Sequence, residues 1–196
     1  MCSAEVVDPG AAKRLQMDRL VAEARGFGLT LAEVNGAKPW GGYLRFTQDS
    51  LAAFRSAYWG DVEVKLPDDE TSVDPKVLLV APQQMLSLQW HRRRAELWRV
   101  IDGPVRIIVG SSWNDLKKNL KDRKQVFDTG EAIYIPQRQW HRLIGLGGWG
   151  RVAEIWQHTD PHHPSDEDDI VRQHDIYGRA DPEAEENWKE VLSLFT

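Results

Sequence analysis

The sequence predicts an all-β protein, a sandwich or barrel of short strands with helices at its flanks. Three observations predict it. Between Lys76 and His158 the chain is a series of short runs, KVLLVAP, MLSLQWH, ELWRVIDG, PVRIIVG, AIYIP and GRVAEIWQH, rich in Val, Ile, Leu and aromatics. Gly, Pro or Asp turns part these runs, which is the punctuation of a sandwich or barrel. Clear helical periodicity lies outside that stretch, so the helices are expected only around the barrel.

Taken in order, Ala12 to Ala24 sets Met17, Leu20, Val21 and Ala24 at helical spacing, and the glycines of GFGLTLAEVNG then break the pattern. A second, short helix is predicted over Asp49 to Tyr58, with Asp49 or Ser50 as its cap. The acidic, Pro-containing LPDDETSVDP reads as a surface loop before the strands begin at Lys76. Within the strand region, SWNDLKKNLKDRK is polar and basic. It reads as an exposed insertion of a helical turn or two with a solvated, Lys-rich face. Beyond Asp160 the chain becomes a charged extended segment, and Glu183 to Phe195 closes it with Trp188, Val191, Leu192 and Phe195 on one helical face. The expected organisation is a helical extension over 1–37, a barrel domain over 38–180 and an amphipathic helix over 181–196.

The 196 residues suit one domain. No apolar run approaches the ~20 residues that span a bilayer, and MCSAEVVDPGAAKR has neither a basic leader nor an apolar h-region, so the expected location is the cytoplasm. Cys2, the single cysteine, can neither close an internal disulfide nor anchor a zinc ribbon. A net charge of −5 is a poor match to nucleic acid. Trp is the unusual residue, with nine copies, and Trp90, Trp98, Trp140, Trp149 and Trp156 stand beside polar groups. They serve either a core and dimer interface or a platform on which a sugar ring stacks.

The polar groups that matter fall in two stretches. In LQWHRRRAELWRVIDG, strand alternation puts Gln89, His91 and Arg93 on one face, with Leu86, Leu88 and Trp90 opposite. Glu96 joins that face if the strand bends after Arg93. GEAIYIPQRQWHRL supplies His141 after a Gly turn, a strand and a Pro turn. A strand bearing His and Glu, with a second bearing His after G-x-x-x-x-I-P, is the layout of a cupin, a double-sheet jelly roll. The two stretches resemble the signatures of the mannose-6-phosphate isomerase type II cupin. KPWGGY (Lys38 to Tyr43) before them and EDDIVRQHDIYGR (Glu167 to Arg179) after them match that family in the same order. The nucleotidyltransferase domain often fused in front of this cupin has no counterpart here, so sugar-nucleotide synthesis is not expected.

The resemblance implies a cupin jelly-roll barrel holding one divalent metal ion (Zn, Mn, Ni, Co or Fe), with Gln89, His91, Glu96 and His141 as ligands. It also implies a homodimer. The sequence departs from the family where Arg92 and Arg93 replace histidines, and where Leu97 replaces the histidine after the glutamate. An inward Arg93 would set a fixed positive charge against the ion; the competing reading is a hydrogen-bonded pocket without metal in which Arg93 pairs with Glu96. Guanidinium also suits phosphate oxygens, which makes Arg93 and Arg142 candidates for substrate. Alternation sends Arg92 and Arg94 to the other face. Asp169 and Arg172 are placed at the barrel mouth by the resemblance, or else belong to an acidic surface strap. Asp160-Pro161-His162-His163 reads as an exposed loop.

The expected activity is aldose–ketose isomerisation of a sugar or sugar phosphate, which needs a base near the carbon and an electrophile at the oxyanion. Glu96 or His141 is the base, with Tyr134 as a possible proton relay. The alternative is a non-catalytic or metal-free sugar-binding or epimerase cupin. A metal-dependent oxygenase using His91, Glu96 and His141 is the third reading.

Overall fold

Among the described residues, eleven strands pair into two antiparallel sheets that face each other as a jelly roll. The structure, a computed structural model, describes residues 8–60, 62, 73–122, 125–160 and 162–181. The helix expected over Glu183 to Phe195, and most of the loop expected at LPDDETSVDP, lie outside the described residues. No helix among the described residues is long and apolar enough to cross a membrane.

The chain opens with α1 (Pro9–Gly26). Asp8 caps it, its Oδ1 accepting the Gly10 N–H at 2.9 Å, and Gly28 ends it in the left-handed conformation (φ 74°). Strands β1 (Leu31–Asn35) and β2 (Gly41–Phe46) follow, then α2 (Leu51–Tyr58) and β3 (Val73–Val80). The barrel continues with β4 (Leu88–His91), β5 (Arg94–Asp102) and β6 (Val105–Gly110). After α3 (Trp113–Asp122) come β7 (Val126–Phe127), β8 (Ala132–Ile135), β9 (Trp140–Gly145), β10 (Gly150–His158) and β11 (Ile170–His174). The sheet orders are β1-β2-β3-β10-β5-β8 and β11-β4-β9-β6-β7.

The centre of the larger sheet, β3 and β10, is buried on both faces, which is why these strands read as continuous apolar runs. On β3 and β10, Val77, Leu79, Ala153 and Ile155 pack under α1 and α2 against Met17, Leu20, Phe54 and Trp59. Their neighbours Leu78, Val80 and Val152 face the barrel interior with Trp98, Val105, Ile107 and Leu143. A third cluster, Leu88, Ile108, Trp113, Leu116, Trp140 and Ile144, covers the outside of the smaller sheet beneath α3.

Four expectations are corrected. Strands occur before Lys76 and after His158: β1 and β2 extend the larger sheet, and β11 lies beside β4 in the smaller one. Gly41 and Gly42 open β2, where its backbone runs close to β3. A Cβ on Gly41 would stand 1.9 Å from the Leu79 carbonyl oxygen. Asp74 and Pro75 belong to β3 rather than to a loop. A helix does lie within the barrel span, since the basic insertion forms α3 and buries Trp113 and Leu116. Finally, Ser50 precedes α2 but does not cap it; its Oγ accepts the Thr30 N–H at 2.9 Å.

Candidate functional site

The barrel interior collects polar groups at one end of the two sheets. Gln89 and His141 are register partners across β4 and β9. His141 faces inward with Leu143, opposite to Trp140 and Ile144 on the outer face. After His91 the chain turns at Arg92 and Arg93 before β5 begins at Arg94. Asp169 pins that turn, its carboxylate accepting the Arg92 N–H at 3.2 Å, the Arg93 N–H at 3.0 Å and the Ser165 hydroxyl at 2.7 Å. Burial alone would raise the Asp169 pKa; hydrogen bonds from Ser165 and the Arg93 amide more than offset it and hold the group below its ordinary value.

The turn restarts the alternation, so Arg94 and Glu96, two apart on β5, both point inward. Each is 1% exposed. Arg94 donates from Nε to Glu96 Oε1 at 2.8 Å and lies 3.1 Å from His91 Nε2 through Nη2. Its Nη1 donates to Ser165 Oγ at 2.8 Å, and its guanidinium stacks 3.6 Å over the Trp156 ring.

His91, Glu96 and His141 converge beside it. His91 Nε2 is 3.0 Å from Glu96 Oε1, His141 Nε2 is 3.2 Å from Glu96 Oε2, and the two imidazole nitrogens are 3.3 Å apart. The His141 Nδ1 lies 2.9 Å from the Gln139 carbonyl oxygen. A carbonyl can only accept, so Nδ1 carries the proton and Nε2 presents a lone pair. His91 Nε2, facing an Arg94 donor, does the same. Burial, with help from Arg94, lowers the His91 pKa to about 4 against the pull of Glu96, so the ring is neutral. Glu96 is held well below the usual carboxylate range: burial opposes its charge, but the Arg94 guanidinium, donating to Oε1 at 2.8 Å, favours it.

Two nitrogen lone pairs and a carboxylate thus lie within 4.8 Å of one another, nearly sealed from water, with Glu96 Oε2 lacking a hydrogen-bond partner. That donor set fits a divalent ion of borderline softness. Gln89 shares the wall, although its Oε1 accepts the Ser87 hydroxyl at 2.7 Å.

Next to this cluster a chamber of about 40 Å³ is lined by Lys38, Lys76, Arg94, Arg172 and Arg179, with the carboxyls of Glu154 and Glu167. Trp40, Tyr43 and Trp156 form its apolar walls. Lys76 pairs with Glu167 at 3.2 Å and sits over the rings of Tyr43 and Trp156 at 4.3 and 4.1 Å. Glu154 accepts the Trp98 Nε1–H at 2.8 Å through Oε1, while its Oε2 has no hydrogen-bond partner. Burial, reinforced by the Glu96 charge, pushes the Glu154 pKa up to about 8.

The other sequence-predicted residues fall elsewhere. Arg93 points away from the cluster, reaching Asp166 and Asp169 at 3.1 and 3.5 Å. Arg142 sits on the outer face of β9, donating through Nη2 to the His174 carbonyl at 2.8 Å, and does not line the chamber. Tyr134, 54% exposed, projects outward from β8 while Ile133 and Ile135 face inward. Asp169 holds the β4–β5 turn, and only Arg172 of the predicted mouth pair lines the chamber. His163 is exposed and bound to Asp160 at 3.0 Å.

Sequence reasoning missed Arg94 because alternation was counted across the turn; counting back from Glu96 finds it. It also missed Glu154 and Lys76. The signal for Glu154 was a lone acid inside the apolar run GRVAEIW.

Curated relatives match over part of their length. The chain is 31% identical over 105 residues to mannose-1-phosphate guanylyltransferase ManC of Salmonella typhimurium, covering 54% of this chain and 19% of that protein. It is 31% identical over 134 residues to alginate biosynthesis protein AlgA of Pseudomonas syringae pv. tomato, covering 68% and 24%. Among solved structures, an oxalate oxidase overlaps 65% of this chain and 56% of its own at 19% identity and a TM-score of 0.44. KdgF from Halomonas sp. overlaps 69% and 91% at 12% identity and a TM-score of 0.41. A family model described as mannose-6-phosphate isomerase C-terminal matches residues 46–175, from the end of β2 past the end of β11. The chain is therefore a member of the mannose-6-phosphate isomerase C-terminal family.

Proposed function

We propose that this chain is an aldose–ketose isomerase acting on a sugar phosphate, with one divalent ion held by His91, Glu96 and His141 and, after a rotamer change, Gln89. The observation that carries the reading is the sealed His–Glu–His donor set opening beside a chamber rich in Lys and Arg. Bound there, the ion would supply a Lewis acid for a sugar carbonyl and its neighbouring hydroxyl. Arg94 orients Glu96, the Gln139 carbonyl orients His141, and Lys38, Arg172 and Arg179 form the seat for phosphate. The base that carries the proton between adjacent carbons is whichever of Glu96 and His141 the ion leaves free. The 40 Å³ chamber holds about three or four waters at roughly 10–15 Å³ each. A sugar therefore enters only when the mouth widens at Lys38 and Glu167. Nucleotidyl transfer is left out of the reading, because the relatives named for it match over about a fifth of their length.

The test is interconversion of mannose 6-phosphate and fructose 6-phosphate by metal-loaded protein, with bound metal quantified alongside. His91→Ala and His141→Ala should each lower kcat by at least about 10²-fold and abolish stoichiometric metal, with cooperative unfolding retained. Added Zn or Mn should raise the wild-type Tm, equivalent to about 2.7 kcal/mol at a hundred times Kd, and leave His91→Ala unmoved. A second reading, a metal-free sugar-binding module, draws on the Arg94–Glu96 pair, which already satisfies one carboxylate oxygen. Metal-free protein that binds mannose 6-phosphate without converting it would select that reading.

A further inference from the structure

Three carboxyls face the chamber or the donor cluster, and two of them are held by cations. Glu96 is paired with Arg94 at 2.8 Å, and Glu167 with Lys76 at 3.2 Å and Lys38 at 4.0 Å. Glu154 is different. Its cross-strand partners are Lys76 on β3 and Trp98 on β5, so the three side chains share one inward row. Yet Lys76 leans to Glu167 and the two aromatic rings, and no ion pair to Glu154 is formed among the described residues. A buried carboxyl with no cation partner stays neutral more cheaply than charged. Oε1 is used by the Trp98 indole, and Oε2 is left over in the chamber wall.

The register fixes how Glu154 stands to the donor cluster. Trp156 pairs with Glu96, and Glu154 pairs with Trp98. Glu154 is therefore one inward position, roughly 7 Å along the strands, from Glu96. Both project from one face of the sheet, so a sugar lodged between them would turn its reacting carbons to the donor cluster and the oxygens on them to Glu154.

We propose that Glu154 is a catalytic acid–base residue of this site, shuttling the proton between the two oxygens of the isomerising sugar. This rests on the isomerase reading above. As the base of the donor cluster takes the C2 proton, the electrons of C1=O go to oxygen, which receives the Glu154 proton. The product of this half is a neutral enediol and a Glu154 carboxylate. In the second half that carboxylate removes the O2 proton, C2=O forms, and C1 recovers the proton held by the cluster base. No proton is gained or lost overall. A buried carboxyl with no cation partner and an unused Oε2 in the chamber wall starts this cycle in the required protonated form.

Glu154→Gln keeps an acceptor for the Trp98 N–H and removes only the acid. On mannose 6-phosphate it should lower kcat by about 10²–10⁴-fold, with KM within about threefold and metal content unchanged. Glu154→Asp, which keeps the acid but withdraws it by one methylene, should fall between. A Glu154→Gln variant that folds and turns over like wild type overturns the proposal and leaves the isomerase reading standing. Wild-type protein that converts no sugar phosphate overturns the isomerase reading. Infrared difference spectroscopy then separates the two ideas, because it does not need turnover. A protonated carboxyl band at neutral pH, missing in Glu154→Gln and shifted by mannose 6-phosphate, supports Glu154 as an acid in contact with the sugar. The absence of that band, or a band indifferent to the ligand, overturns it.

Discussion

Arg94, Glu96 and His91 show what burial does to charge at the scale of single residues. The Glu96 carboxylate is stable in the barrel interior because the buried Arg94 guanidinium pairs with it at 2.8 Å. His174 is the converse case. It is 8% exposed on β11, with its Nδ1 2.7 Å from Arg142 Nη2, and burial with the Arg142 charge lowers its pKa to about 4. The unfolded chain protonates near 6.5. Between pH 6.5 and 4 the unfolded state therefore binds more protons, and stability is lost as pH falls through that window. Replacing His174 with Asn should flatten the loss by on the order of 1–3 kcal/mol, with a residue of slope left to His91. Urea midpoints at pH 7 and pH 4.5 measure it. An unchanged slope would show that His174 is not neutral in the fold.

At the scale of elements, α3 is the instructive case. Its sequence, WNDLKKNLKD, is dominated by polar residues and was read as an exposed insertion. Only Trp113 and Leu116 of its described side chains are buried, yet they cover Leu88, Ile108 and Trp140 on the back of the strands that carry Gln89, His91 and His141. Leu116 is fully buried, so Leu116→Ala should cost about 2–5 kcal/mol in urea unfolding. A cost below about 0.5 kcal/mol would mean that α3 is only tethered to the sheet. The strands β3 to β6 and β8 to β10 were legible because they are apolar and parted by turn residues. β1 and β11 were not. They are sheet-edge strands whose composition carries charge, and what holds them is backbone pairing to β2 and β4.

The chamber is a property of the whole molecule, since Lys38, Lys76 and Glu167 come from three distant segments. Burial would raise the Glu167 pKa, but Lys76 and Lys38 lower it below its ordinary value, so at neutral pH Glu167 occupies Lys38, one of the cations of the proposed phosphate seat, together with its neighbour Lys76. Glu167→Gln should therefore tighten inorganic phosphate and mannose 6-phosphate binding about three- to tenfold in calorimetry, the scale of a ~1 kcal/mol partly exposed pair. Weaker binding would place the phosphate elsewhere. By itself the sequence determined the jelly roll, through its runs of strand-forming residues, and it named the two stretches that bear His91, Glu96 and His141. Those features are local, set by alternation within one strand. The tertiary structure decided which arginine faces inward, because the Asp169-pinned turn after His91 resets the alternation that a linear count carries through. It also decided that Glu154 and Lys76 share the chamber, because cross-strand register and burial bring together residues that lie far apart along the chain.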